Sequence, residues 1–161
     1  MENKLPQNNN GSKKKSFGRI LIMDDDTGLR RIYKKVLTRA NYDVIEAGSV
    51  QNARDLLKLF CFDIFICDIH MGRERGNDLI KEFRHILTKN GTLVVMCSAY
   101  GQYRMRIEEL GADYFLEKPI SLGTLLTLID RLMDSNSAEQ PDDPGIETTS
   151  ETNPRKWKFY F

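Results

Sequence analysis

Asp24, Asp25, Asp68, Ser98 and Lys118 are the residues of this chain whose types could do chemistry together. Close-packed carboxylates repel, so some must be protonated or share a cation. Magnesium suits such a cluster, because it takes one or two protein carboxylates and completes its octahedron with water and phosphate oxygens. Phosphoryl transfer then asks only for a nucleophile, alignment and charge neutralisation. Asp68 is the candidate nucleophile, forming an aspartyl phosphate. Asp24 and Asp25 would hold Mg2+ with Asp68 and the backbone carbonyl of His70. Lys118 would pair with one phosphoryl oxygen and the Ser98 hydroxyl would hydrogen-bond another. Taken singly, each has a plainer reading: a solvated loop acid, a turn at Lys118-Pro119, or Asp26 as a helix cap.

What could bring these five together is an alternation of short apolar runs with amphipathic stretches. RILIM (19–23), NYDVIEA (41–47), FDIFIC (62–67), TLVVMC (92–97) and ADYFLE (112–117) are strand candidates, and Pro119 ends the last. Helical spacing follows each, with Ser49 and Ser121 as caps. Five strands alternating with five helices predict an α/β fold, a doubly wound parallel sheet covered on both faces. In such a sheet the carboxyl ends of the strands share one rim, where ligand sites gather. Each of the five residues falls just after, or at the end of, its strand.

The 161 residues carry 24 Lys+Arg against 23 Asp+Glu and are 40% hydrophobic, enough for one core. A formal charge of +1 gives no global pull toward nucleic acid or membrane. The expected organisation is a basic N-terminal tail over 1–17, a folded domain over 18–134, and an acidic tether over 135–161 that ends in RKWKFYF. That last segment is a candidate docking peptide for a partner, a tail that folds back onto the domain, or a frayed end. The apolar runs are too short to span a membrane, and no secretory signal is visible. Cys61, Cys67 and Cys97 fit buried thiols in a reducing compartment, hence a cytoplasmic setting, better than a disulfide frame or a zinc site.

ILIMDDD, FDIFICDIHM, VVMCSA and GADYFLEKPI together resemble the receiver domain of two-component response regulators, from about Arg19 to Met133. The resemblance implies a flavodoxin-like sheet of strand order 2-1-3-4-5, phosphorylation of Asp68 by a sensor histidine kinase or phosphotransfer protein, and Mg2+ dependence. It makes Ser98 the switch hydroxyl, Ala99 the small residue beside it, and Lys118-Pro119 the lysine and its cis peptide. Phe115 falls at the switch aromatic, whose rotation remodels the face of the fourth helix, fifth strand and fifth helix for a protein target. It is also a plausible plain core residue. His70 and Tyr100 fall at positions that tune phosphoryl lifetime; both are large, and they either screen the phosphoryl from water or face solvent. The loop GRERGND departs from the family pattern and is expected to be more flexible and more basic. No DNA-binding output domain is expected after Met133, so the class implied is a stand-alone receiver.

Two rivals remain at this point. A haloacid-dehalogenase-like phosphatase is suggested by the Asp-x-Asp likeness of DDDT, although a second acidic pair near Lys118 is missing. A pseudo-receiver, an interaction module that never takes a phosphoryl group, would usually lack part of the cluster.

Overall fold

The computed structural model describes residues 16–137. The basic run at Lys13–Lys15 and the aromatic RKWKFYF segment lie outside the described residues.

Five strands form one parallel sheet: β1 (Arg19–Met23), β2 (Asp43–Ala47), β3 (Ile64–Asp68), β4 (Leu93–Ser98) and β5 (Tyr114–Glu117). Their order is β2-β1-β3-β4-β5, the doubly wound arrangement expected. The central strands are nearly continuous apolar runs, as strands covered on both faces must be. All five residues of β3 are buried.

The helices are α1 (Thr27–Arg39), α2 (Val50–Leu59), α3 (Gly76–Lys89), α4 (Ile107–Leu110) and α5 (Leu122–Ser137), with a 3-10 stretch Gly101–Arg106 leading into α4. Period-two side chains split the core. Leu21, Met23, Phe65, Cys67 and Met96 pack against residues of α2, α3 and α4. Ile20, Ile22, Ile64, Ile66, Val95 and Cys97 pack against α1 and α5. Side-chain oxygens close the starts of α1, α2 and α5: Asp26 Oδ1 accepts from Leu29 N–H at 2.9 Å, Ser49 Oγ from Asn52 N–H at 3.1 Å, and Ser121 Oγ from Thr124 N–H at 3.0 Å.

The loop after β3 carries a short stretch of regular pairing that the sequence pattern did not announce. His70–Met71 and Glu74–Arg75 pair as a small antiparallel ribbon, and Gly72 turns it at φ 62°. Its inner side is fixed by Met71, which is buried, and by Gly76 N–H donating to the Ile69 carbonyl at 2.9 Å. Charge at the ribbon tip stays exposed, while the backbone beneath is locally paired.

Candidate functional site: the acidic rim of the sheet

Register brings the chemistry together. Met23 pairs with Cys67, so Asp24 follows β1 beside Asp68 at the end of β3. Asp68 pairs with Cys97, one residue before Ser98, and Ser98 pairs with Glu117, one residue before Lys118. Parallel in-register strands that stop together therefore deliver an acid, an acid, a hydroxyl and an ammonium to one rim.

One carboxylate oxygen from each of Asp24, Asp25 and Asp68 lies within 4.8 Å of the others. Asp24 and Asp68 are buried, 4% and 7% exposed, whereas Asp25 faces solvent. Lys118 Nζ donates to Asp24 Oδ2 at 2.6 Å and to Asp68 Oδ2 at 2.5 Å. The remaining oxygens of the buried pair are held by the backbone: Asp26 N–H donates to Asp24 Oδ1 and His70 N–H to Asp68 Oδ1, both at 2.9 Å.

Burial pushes the Asp24 carboxyl above its ordinary range, against the pull of the Lys118 hydrogen bond. Burial acts to lower the Lys118 ammonium, but its hydrogen bonds to Asp24 and Asp68 outweigh that and hold it above its ordinary value. The two directions look opposed, since one partner favours its neutral form and the other its charged form. They are compatible: Lys118 gains two carboxylate partners, whereas Asp24 is raised chiefly by its own burial; with Asp25 beside them, three carboxylates face the one bridging ammonium and leave a deficit of counter-charge. An all-oxygen donor set with that deficit fits a hard divalent cation such as magnesium.

Ser98 is fully buried, and its Oγ accepts from Tyr100 N–H at 3.1 Å. Its carbonyl accepts from Lys118 N–H at 2.8 Å, and Lys118-Pro119 is cis, as the resemblance implied. Ala99 is exposed beside it. Phe115 is half-buried, packs against the core layer of α2 and α3, and lies 6.0 Å below the Arg104 guanidinium carbon. His70 is engaged with Asp68 through its N–H, and its ring meets those of Tyr100 at 5.1 Å and Tyr103 at 5.7 Å. The three rings form an aromatic cluster at the rim, His70 and Tyr100 exposed and Tyr103 half-buried against the core.

Asp26 stands apart from the acidic trio, since its Oδ1 caps α1. Of the DDDT run that suggested a phosphatase, the first two acids thus belong to the rim and the third to the start of α1.

Cys67 and Cys97 are buried free thiols, whereas Cys61, expected to be buried as well, is exposed because it falls just past α2. Burial pushes Cys97 up to about 12 and raises Cys67 too, so neither is a thiolate at neutral pH.

Two residues that pattern reading passed over shape the site. A Cβ on Gly76 would lie 2.0 Å from the Asp68 carbonyl oxygen and 2.6 Å from Cys67 Sγ. Only glycine lets α3 start that close to the acceptor strand. Arg30 donates from Nη1 to the Asp24 carbonyl at 2.6 Å. A glycine at a helix start is a weak sequence signal, and an arginine in RRIYKK is indistinguishable from its solvated neighbours until the fold is known.

Comparison with known proteins places the chain. Residues 20–130 match the model of the response regulator receiver domain. The chain is 33% identical to the chemotaxis protein CheY of Thermotoga maritima over 119 residues, covering 71% of this chain and 96% of that protein. It is 34% identical to the protein PetR of Rhodobacter capsulatus over 116 residues, 71% of this chain but only 48% of PetR. Among solved structures it resembles the response regulator TrrA of Thermotoga maritima in complex with Mg(2+)-BeF, at TM-score 0.63 and 25% identity, covering 71% of this chain and 97% of that one. The chain belongs to the response regulator receiver domain family of two-component signalling.

Among the described residues no helix is long and apolar enough to cross a membrane.

Proposed function

We propose that this chain is a phosphoacceptor switch: Asp68 takes a phosphoryl group from a sensor histidine kinase or a phosphotransfer protein in a Mg2+-dependent reaction. The observation that carries the reading is the trio Asp24, Asp25 and Asp68 gathered within 4.8 Å of one another, with Lys118 bridging the buried pair Asp24 and Asp68. A TrrA structure solved with Mg(2+)-BeF supports the same cofactor for this chain.

Asp24, Asp25, Asp68 and the His70 carbonyl would hold the magnesium, which when bound supplies positive charge against the phosphoryl oxygens. In the transfer, a carboxylate oxygen of Asp68 forms the new bond to phosphorus while the bond from phosphorus to the donor breaks and the donor leaves with those electrons. Lys118 leaves its carboxylate partners for a phosphoryl oxygen, and the Ser98 hydroxyl, held at the rim by Tyr100 N–H, donates to another. The Asp68 phosphoryl, with roughly −1.5 to −2 charge, favours the arrangement in which these two donors turn toward it. Phe115 then follows Ser98 inward, away from Arg104, and the surface of α4, β5 and α5 changes for a protein target. The role is a switch, and turnover of a substrate is no part of it. The buried free thiols Cys67 and Cys97 of the domain over 18–134 suit a reducing, cytoplasmic setting.

Acetyl phosphate plus Mg2+ is the direct test. Intact mass should rise by about 80 daltons, one phosphoryl group, and the gain should vanish with chelator or in Asp68→Asn. A wild-type chain that gains no mass would make this a pseudo-receiver.

A further inference from the structure

We propose that Arg30 is a positioning residue for the metal-holding loop, clamping the backbone of Asp24 so that the acidic pair is preset for a divalent cation. The proposal rests on the magnesium reading above and extends it to a residue outside the acidic cluster.

Arg30 sits one turn into α1, and its side chain is only 13% exposed. Nη1 donates to the Asp24 carbonyl at 2.6 Å, and Nη2 to Thr27 Oγ1 at 3.2 Å. Glu46, on β2, stands 3.9 Å from Nε and is shared with Lys34 at 3.0 Å. Behind the guanidinium is Gly48: a Cβ there would lie 3.1 Å from Nη2, 3.2 Å from Cζ and 3.3 Å from Nη1. The absent side chain is the slot in which the planar group lies.

This arrangement does more than start a helix. Asp26 already caps α1 through Leu29 N–H, so the helix does not depend on Arg30 for its first turn. What Arg30 adds is a charge-assisted bond to the residue whose carboxylate faces Lys118. With Asp24 N–H donating to the Ala47 carbonyl at 3.3 Å, one backbone polar group of Asp24 is tied to β2 and the other to α1. The carboxylate is thereby aimed by β2 and α1 together. Partners that orient metal ligands from behind typically set affinity by 10–100-fold.

Electrostatics and positioning predict opposite signs here. Removing a cation bonded to the Asp24 carbonyl should by itself tighten binding of a divalent ion, whereas releasing the loop should weaken it. Titrating the full chain with Mg2+ by calorimetry separates the two. Arg30→Met and Gly48→Ala should each weaken Mg2+ binding by about tenfold, with the metal-free unfolding midpoint close to wild type. Gly48→Ala crowds the guanidinium by a few tenths of an ångström without changing any charge, and it remains informative if Arg30→Met folds poorly. Arg31→Met, at the exposed neighbouring position, should bind as wild type does. Unchanged or tighter binding in both Arg30→Met and Gly48→Ala would overturn the positioning role, as would weakening that merely tracks lost stability. A wild-type chain that binds no Mg2+ would instead overturn the metal reading on which the proposal stands.

Discussion

Replacing Lys118 by methionine removes the one ammonium that bridges Asp24 and Asp68 while keeping most of its apolar stem. At 2.6 Å and an effective dielectric near 20, a pair of unit charges attracts by roughly 6 kcal/mol before desolvation is subtracted. Breaking a buried pair usually costs about 3–5 kcal/mol, because the remaining charge is left uncompensated. Lys118 is 19% exposed and Asp24 can take up a proton, both of which soften the loss. The expected cost is therefore about 2–4 kcal/mol at neutral pH without metal. Urea unfolding followed by circular dichroism in chelator reads it as a lower midpoint at unchanged slope. Adding Asp24→Asn to Lys118→Met should recover about 1 kcal/mol or more, since the uncompensated acid is then gone. A Lys118→Met chain as stable as wild type, or a double variant less stable than Lys118→Met alone, would refute the charge-deficit account of the rim.

Three further outcomes follow from the same structure. Tyr33 is 2% exposed and its hydroxyl has no hydrogen-bond partner among the described residues, so Tyr33→Phe should leave stability unchanged or raise it by about 1 kcal/mol; a loss larger than that in thermal unfolding would mean the hydroxyl is satisfied by something else. Asp24, raised by burial, binds its proton more tightly folded than unfolded, so its contribution favours the fold most below the ordinary value of 3.8 and is lost as pH rises through the higher folded value; Asp24→Asn should abolish that part of the pH profile, and an unchanged acid limb would contradict it. The His70, Tyr100 and Tyr103 rings stand together at the rim, so His70→Asn and Tyr100→Glu should shorten the phosphoryl half-life several-fold by admitting water, and half-lives equal to wild type would remove the screening role.

The fold was legible because its signals are local and mutually consistent. Apolar runs gave the sheet strands to within about two residues, and Ser49, Ser121 and Asp26 are the caps their types suggest. The site was legible for a related reason: a parallel sheet converts strand ends into neighbours, so Asp24, Asp68, Ser98 and Lys118 needed only the right strands to meet. What the sequence hid is what depends on exact spacing in three dimensions. The ribbon at His70–Arg75 replaces a loop because Met71 finds a buried seat, which no two-residue pattern announces. Cys61 is exposed although it stands between two phenylalanines, because the chain turns there between α2 and β3. Arg30 and Arg31 are identical letters, and only the helix phase puts the first against Gly48 and the Asp24 carbonyl.

The central claim is that the gathered acids make Asp68, and no other carboxylate of the rim, the phosphate carrier. Treating the chain with acetyl phosphate and Mg2+, trapping the acyl phosphate by borohydride reduction and mapping the peptides by mass spectrometry tests it directly. The account predicts homoserine at position 68 alone, lost with chelator. Reduction at Asp24 or Asp25, or at no aspartate in a folded chain that binds Mg2+, would contradict it.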